Sequence, residues 1–231
     1  MSELKTKILL FGSNSEIGQK IYSFLSKENF VIPLHRGFRF EGSQTKLIYD
    51  SYIKATEWCN SSKEFIFDAD VVIFNQAFTS LLSLEEITYD SLIKSFEVNV
   101  FFPTAVIQFL LSQNIKKRRK FIFLSSIAGN FRSITASMSY SSSKRALNGL
   151  IKHLALEKGK NADFIGIAPS QVDSLQLREK IPESKIEELK RNSPTNSLCK
   201  VEEIASFVKY LVHHEGSSFN GSIFDMNGGI Y

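Results

Sequence analysis

Seven short runs of apolar residues, spread over 231 residues, restrict the fold of this chain more than any other feature. They are KILLF (7–11), FVIPL (30–34), KLIY (46–49), VVIF (71–74), FIFL (121–124), FIGIA (164–168) and SIFDM (222–226). Most are apolar without a break rather than at alternate positions, the pattern of parallel strands covered on both faces. The stretches between them carry helical periods. Ile17, Ile21, Phe24 and Leu25 fall at i, i+4, i+7 and i+8, and Leu147, Leu150, Ile151 and Leu154 repeat that stripe between the fifth and sixth runs. Strand, helix and strand in repetition predict an α/β fold with a doubly wound parallel sheet of about seven strands. No internal repeat or Pro/Gly-rich linker divides the chain, and 43% apolar content is enough for a sizeable core. Residues 1–231 are expected to form a single domain. Only nine residues, GFRFEGSQT, separate Arg36 from KLIY. A parallel crossover usually takes about a dozen or more, so the helix between strands two and three is expected to be missing or reduced to a turn.

Composition excludes several classes. A formal charge of +4 is too small to argue for nucleic acid. The dense basic run KKRRK (116–120) directly precedes FIFL and reads as the solvated end of a helix leading into a buried strand. Cys59 and Cys199 have no second Cys or His at ligand spacing, so neither a disulfide framework nor a metal site is expected, and a reducing compartment fits. The N-terminal ILLF is shorter than the roughly 7–15 apolar residues of a signal peptide, and no run reaches the roughly 18–20 that span a membrane. The expectation is a soluble, cytoplasmic protein with neither nucleic-acid nor membrane partners.

The first run continues into FGSNSEIGQK. A strand, a glycine and a helix aim free backbone N–H groups and the positive end of the helix dipole at a phosphate. Gly12 would make the turn, Gly18 would let the helix pack on the sheet, and Ser13, Asn14 and Ser15 would add donors. An ordinary strand-to-helix turn capped by Ser15 reads the same way. Farther on, Tyr140 and Lys144 are spaced i, i+4 at the start of a helix and share one face. An ammonium beside a phenol favours the phenolate and makes tyrosine a usable proton donor or acceptor near neutral pH. Ser126 follows the buried FIFL strand, on the carboxyl edge where open α/β sheets bind ligands. Asn99 lies in the amphipathic stretch FEVNVFF.

Taken together, and in this order, these residues resemble the short-chain dehydrogenase/reductase family, with its Rossmann-like sheet, from Lys7 to Gly229. The family's Gly-x-x-x-Gly-x-Gly is similar to Gly12-Ser13-Asn14-Ser15-Glu16-Ile17-Gly18, with Glu16 in the middle glycine's place. Its Asn-Asn-Ala-Gly resembles Asn75-Gln76-Ala77-Phe78. Its catalytic Asn, Ser, Tyr and Lys match Asn99, Ser126, Tyr140 and Lys144. Its Pro-Gly-x-Val-x-Thr corresponds to Pro169-Ser170-Gln171-Val172-Asp173-Ser174, and its closing Gly…Val-Asp-Gly-Gly to Gly221 through Asn227-Gly228-Gly229.

The resemblance implies an NADP(H)- or NAD(H)-dependent oxidoreductase acting on a small-molecule carbonyl/alcohol pair. Tyr140 would be the general acid/base, and Ser126 would hydrogen-bond the substrate oxygen. Lys144 would bind ribose hydroxyls and lower the Tyr140 pKa, while Asn99 would hold a water for proton resupply. Gly12, Ser13, Asn14, Ser15, Ile17, Asn75, Ala77, Pro169, Val172 and Ser174 would line the cofactor, with Asp50 on its adenine. After the second strand come His35-Arg36-Gly37 and then Arg39, with no acid until Glu41. An arginine there accommodates a 2′-phosphate, which favours NADP(H) over NAD(H). Residues 171–197 would form a polar lid over the substrate. Family members commonly pair through two long helices, here about 91–113 and 139–158, so a homodimer or homotetramer is expected. The alternative is a catalytically weak NADP-binding regulator with the same fold.

Overall fold

The computed structural model describes residues 5–38, 46–49, 51–80, 82–112, 117–131 and 136–230. Six parallel strands form its main sheet: β1 (Lys7–Phe11), β2 (Phe30–Leu34), β3 (Val71–Phe74), β4 (Arg119–Leu124), β5 (Ala162–Pro169) and β8 (Ile223–Met226), in the order β2-β1-β3-β4-β5-β8. A separate ladder of two residues each joins β6 (Val172–Asp173) to β7 (Cys199–Lys200).

Alternate residues of each strand enter opposite layers, which is why the strands read as continuously apolar. Leu9, Phe11, Val72, Phe74, Phe121, Phe123 and Phe164 face one core; Ile8, Leu10, Val71, Ile73, Ile122, Leu124, Ile165 and Ile167 face the other. The first layer is covered by α2 (Tyr52–Ser61), α5 (Phe102–Ser112) and α6 (Met138–Lys158), the second by α1 (Glu16–Leu25) and α9 (Val201–His213). Phe11, Phe74 and Phe123 stack across three strands at centroid separations of 5.4 and 5.1 Å, a dispersion-rich row under the site. A short helix α3 (Lys63–Ile66) precedes β3. Helix α4 (Tyr89–Phe96) runs through a π-helical segment (Glu97–Phe101) into α5.

Three expectations are corrected here. KLIY (46–49) joins no ladder, and the main sheet has six strands among the described residues. Leu47 and Tyr49 are buried, but their segment is tied to the turn after β2 by irregular bonds, Gly37 N–H to Leu47 O and Leu47 N–H to Phe38 O. The interval expected to lack a crossover helix falls largely on 39–45, outside the described residues.

The second correction concerns KKRRK. Lys116 is outside the described residues, but Arg119 is 2% exposed. Its guanidinium donates to the carbonyls of Phe67, Ala69 and Leu110 at the ends of α3 and α5. Lys120 donates to the carbonyls of Leu211 and His214 at the end of α9, at 2.6 and 2.7 Å. Lys117 pairs with Asp70 and Arg118 with Asp163. Arg119 and Lys120 are spent on carbonyls at helix C-terminal ends that would otherwise be left bare. Lys117 and Arg118 are exposed as expected, but Arg119 and Lys120 are not part of a solvated end.

Thirdly, the 24-residue helical stretch Tyr89–Ser112 is long and apolar enough to cross a membrane, although no apolar run in the sequence is that long. Its Val98, Phe102, Val106 and Leu110 are spent on the core of this sheet.

Candidate active site

The carboxyl ends of β1, β3, β4 and β5 converge on one crevice. At its floor Gly12 adopts φ +75°, a conformation L side chains rarely reach, and a Cβ there would fall 2.6 Å from Gln76 N. A Cβ on Gly18 would lie 2.2 Å from Gly12 O, so α1 packs this closely only because Gly18 has no side chain. Ser15 caps α1, accepting from Gly18 N–H at 3.1 Å. Asn75, at the end of β3, donates to Gly12 O (2.8 Å) and Ser15 Oγ (2.9 Å). Its amide therefore braces the turn. The buried Tyr49 hydroxyl accepts from Gly12 N–H (3.1 Å) and donates to Leu34 O (3.0 Å), locking the turn to the end of β2. Sequence reasoning missed Tyr49; the one available signal was a tyrosine closing an apolar run.

Glu16 reaches away from α1. Its carboxylate accepts from Leu175 N–H at 2.7 Å, the first amide of lid helix α7 (Leu175–Lys180). The residue in the middle glycine's place thus ties α1 to the lid.

On the opposite wall Ser126 follows β4 and caps a single 3-10 turn (Ile127–Gly129), accepting from Ala128 N–H at 3.2 Å. Its neighbour Ser125 points inward and donates to Asn148 Oδ1 on α6 at 2.6 Å, and Asn148 donates on to Asn130 at 2.8 Å. A Cβ on Gly129 would strike the Lys144 backbone at 2.9 Å, so the Ser126 loop can lie flush on α6.

Tyr140 and Lys144 leave α6 on the face the i, i+4 spacing predicts. The Tyr140 phenol hydrogen-bonds with Ser126; burial pushes its pKa above the ordinary tyrosine value, and the Ser126 bond opposes that rise. Lys144 is 1% exposed and donates to Leu124 O at 2.7 Å, with Nζ 5.7 Å from the Tyr140 ring centre. Burial pushes its pKa down to about 7. The expected lowering of the Tyr140 pKa by Lys144 is not found, because desolvation governs both groups and the ammonium is turned onto a carbonyl.

Asn99 sits in the π-helical segment, whose extra residue per turn aims it at the β3 loop. Its Oδ1 accepts from Phe78 N–H (2.9 Å), and its Nδ2 donates to Phe78 O (3.1 Å) and Ser143 Oγ (2.9 Å). Ser143 in turn donates to Tyr140 O at 2.8 Å. Both amide donors are thus committed to protein, leaving one Oδ1 lone pair for the expected water.

A cavity of about 210 Å³ brings Ser126, Tyr140, Ile17, Val172 and Ser174 together beneath α7. Ser174 also caps α7, accepting from Leu177 N–H. Pro169 ends β5 at the same edge, and Ala77 is exposed just past β3. Ser13 is buried behind the turn, donating its N–H to Leu34 O, whereas Asn14 is exposed. Arg36 is exposed on the turn after β2. Asp50 and Arg39 lie outside the described residues.

The stretch that carries Asn75, Ser126, Tyr140 and Lys144 falls within the match to a known family model. That model, described as Enoyl-(Acyl carrier protein) reductase, matches residues 54–231. The chain belongs to the short-chain dehydrogenase/reductase family. It is 31% identical over 71% of its length to "Dehydrogenase/reductase SDR family member 6" of Danio rerio, covering 70% of that protein. To the protein of the same name in Aquarana catesbeiana it is 29% identical, over 82% of this chain and 79% of that one. A solved 4-hydroxyisoleucine dehydrogenase complexed with NADH superposes with a TM-score of 0.86 at 21% identity, over 97% of this chain and 98% of that one.

Short-chain dehydrogenases/reductases are oxidoreductases that use a nicotinamide dinucleotide, and the residues here fit one. The first-turn amides of Glu16 and Ile17 have no acceptor inside α1 and open onto the crevice. Gly12 keeps the turn bare of side chain, and Ala77 is small where the β3 loop meets it. These donors suit a pyrophosphate.

Proposed function

We propose that the protein is an NADP(H)-dependent oxidoreductase interconverting a carbonyl and an alcohol in a small molecule, with Tyr140 as general acid and base. The observation carrying this reading is that Ser126 and Tyr140 line one cavity with Ile17 of α1, and that Lys144 lies buried behind them with Nζ 5.7 Å from the Tyr140 ring centre. When bound, the nicotinamide ring supplies or accepts the hydride. The chain supplies the rest. The Tyr140 hydroxyl, kept protonated by burial, donates to the carbonyl oxygen in reduction and takes the hydroxyl proton in oxidation. Ser126 donates to the same oxygen as charge builds on it. Lys144 holds the ribose hydroxyls. Asn99 positions the Phe78 loop against α6 and offers its remaining lone pair to a water.

The decisive assay follows NADPH consumption against a panel of carbonyl compounds. A protein that binds NADPH and consumes none with any of them would be the regulator instead.

Arg36 is the basis for NADP(H) over NAD(H). NADPH is expected to bind at least about tenfold tighter than NADH, a gap of roughly 1.4 kcal/mol. Arg36→Ala should cost about 1–3 kcal/mol of NADPH binding, the usual loss of a charge-assisted contact, and leave NADH nearly unchanged. Fluorescence titration of both cofactors decides this; equal affinities would remove the argument.

The proposal extends to a single cytoplasmic catalytic domain that assembles as a homodimer or homotetramer. Its support is the outward side of the two long helices, where Phe101 and Leu156 are exposed. Light scattering should give at least twice the mass of one chain at micromolar concentration, and a monomer there would count against it.

A further inference from the structure

Beyond Ser126 and Tyr140, the cavity wall is made by lid helix α7. Gln176 and Lys180, spaced i, i+4, share one side of that helix, and both line the cavity together with Leu177 and Ile181. The apolar pair is accounted for by packing, since Leu177 and Ile181 rest on Ile186, Leu189 and Leu198. The polar pair is exposed at the cavity rim, and neither Gln176 nor Lys180 has a hydrogen-bond or ion-pair partner among the described residues. Three neighbouring lid cations are engaged. Arg178 bridges Asp173 and Glu183, Lys185 pairs with Glu188, and Lys190 with Glu187. Among the described residues no Asp or Glu lines the cavity, so none there offers the Lys180 charge a counter-ion.

We propose that the substrate carries, besides its reacting carbon, a terminal carboxylate and that Lys180, with Gln176, reads it; the substrate is a small hydroxy acid or the corresponding oxo acid. This rests on the oxidoreductase reading above. A cavity of about 210 Å³ suits a small molecule. One ammonium and one amide suit a monoanion, whereas a phosphate usually recruits an arginine fork or several backbone donors. The chemistry balances with the cofactor class already named. The alcohol carbon gives a hydride to the oxidised nicotinamide, its hydroxyl proton passes to Tyr140, and a C=O bond forms while the carboxylate stays unchanged. Holding the carboxylate at one end fixes the reacting carbon at the other.

The test uses the full chain with short linear hydroxy acids, the hydroxyl at each position in turn, each beside its methyl ester, and with NADP+ and NAD+. Wild type should prefer acid over ester about tenfold or more in kcat/KM, the discrimination expected of one charge pair. Lys180→Met should lower kcat/KM for the acid about 10- to 100-fold, mainly through KM, and leave the ester unaffected, with Lys180→Arg restoring much of the loss. Acids and esters turned over alike, or an equal effect of Lys180→Met on both, would overturn the assignment and leave the oxidoreductase reading standing. So would turnover of neutral carbonyls with no hydroxy or oxo acid accepted. Failure with every carbonyl and alcohol would remove both readings.

Discussion

Tyr140→Phe is expected to keep the fold and the NADPH affinity and to lose roughly 100- to 10,000-fold in turnover, the range for removing a general acid. The substitution deletes one oxygen. The ring stays in the cavity wall, α6 keeps its Ser137 cap, and Ser143 still accepts from Asn99, so the scaffold around the missing hydroxyl is unchanged. What is lost is the proton and the partner of Ser126. Because burial holds the Tyr140 pKa above its ordinary value, with the Ser126 bond acting against it, the phenol is protonated throughout the neutral range. Reduction therefore has its acid ready, whereas alcohol oxidation should accelerate toward alkaline pH as the phenol loses its proton. That alkaline rise should be absent in Tyr140→Phe. Steady-state rates in both directions, with NADPH titration and circular dichroism as controls, measure all of this. Near wild-type turnover in the Phe variant would pass the proton-transfer role to Ser126 or a bound water.

The residues legible from the sequence were those whose role depends on backbone path and fixed spacing. The glycine turn could be read because a strand, Gly12 and Gly18 leave few alternatives for that segment, and the Cβ clashes at both positions bear that out physically. Tyr140 and Lys144 could be placed on one face because a helix fixes i, i+4 neighbours. Six strands were placed within two residues at either end for the same reason, since an apolar run between helical stretches has little choice but a two-faced sheet. KLIY met that description and failed. An apolar run specifies burial, and strand pairing depends on the partner edge; Tyr49 hydrogen-bonds into the end of β2 and the glycine turn instead of extending the ladder.

Long-range polar contacts were not legible. The sequence offers no sign that Arg119 and Lys120 would meet the carbonyl ends of helices up to ninety-odd residues away in the chain. Nor does it show that Glu16 would reach a lid amide. Asn99 was found by its place in the motif, but its orientation comes from a π-helical segment that a 3.6-residue period does not reveal. The lid was read as charged and polar. That Leu177 and Ile181 rest on Ile186, Leu189 and Leu198 while Gln176 and Lys180 stay unpartnered at the cavity appeared only with the turn between α7 and α8 (Glu183–Arg191) in place.

Lys144→Met is expected to separate stability from function, in opposite directions. Met fills nearly the same volume but cannot hold ribose hydroxyls or place charge near the phenol, so turnover should fall by about 100-fold or more and NADPH affinity with it. Stability should move the other way. Lys144 is buried with one protein partner, the Leu124 carbonyl, and burial brings its pKa to about 7 from the ordinary 10.5. The unfolded chain keeps that lysine protonated up to its ordinary pKa, so between about 7 and 10.5 the unfolded state binds more protons than the folded one. Stability therefore rises with pH through that window and is lowest below it. Met has no proton to lose. The variant should be more stable than wild type by about 1 kcal/mol near pH 6, after allowing for the Leu124 carbonyl left without its donor, and its lead should shrink as the pH approaches 10. Urea unfolding of both proteins across that range reads the difference directly. A Met variant less stable than wild type at pH 6, or one whose lead did not shrink with pH, would show that Lys144 is held in the fold as a compensated charge, and its role at the cofactor would then no longer carry a cost in stability.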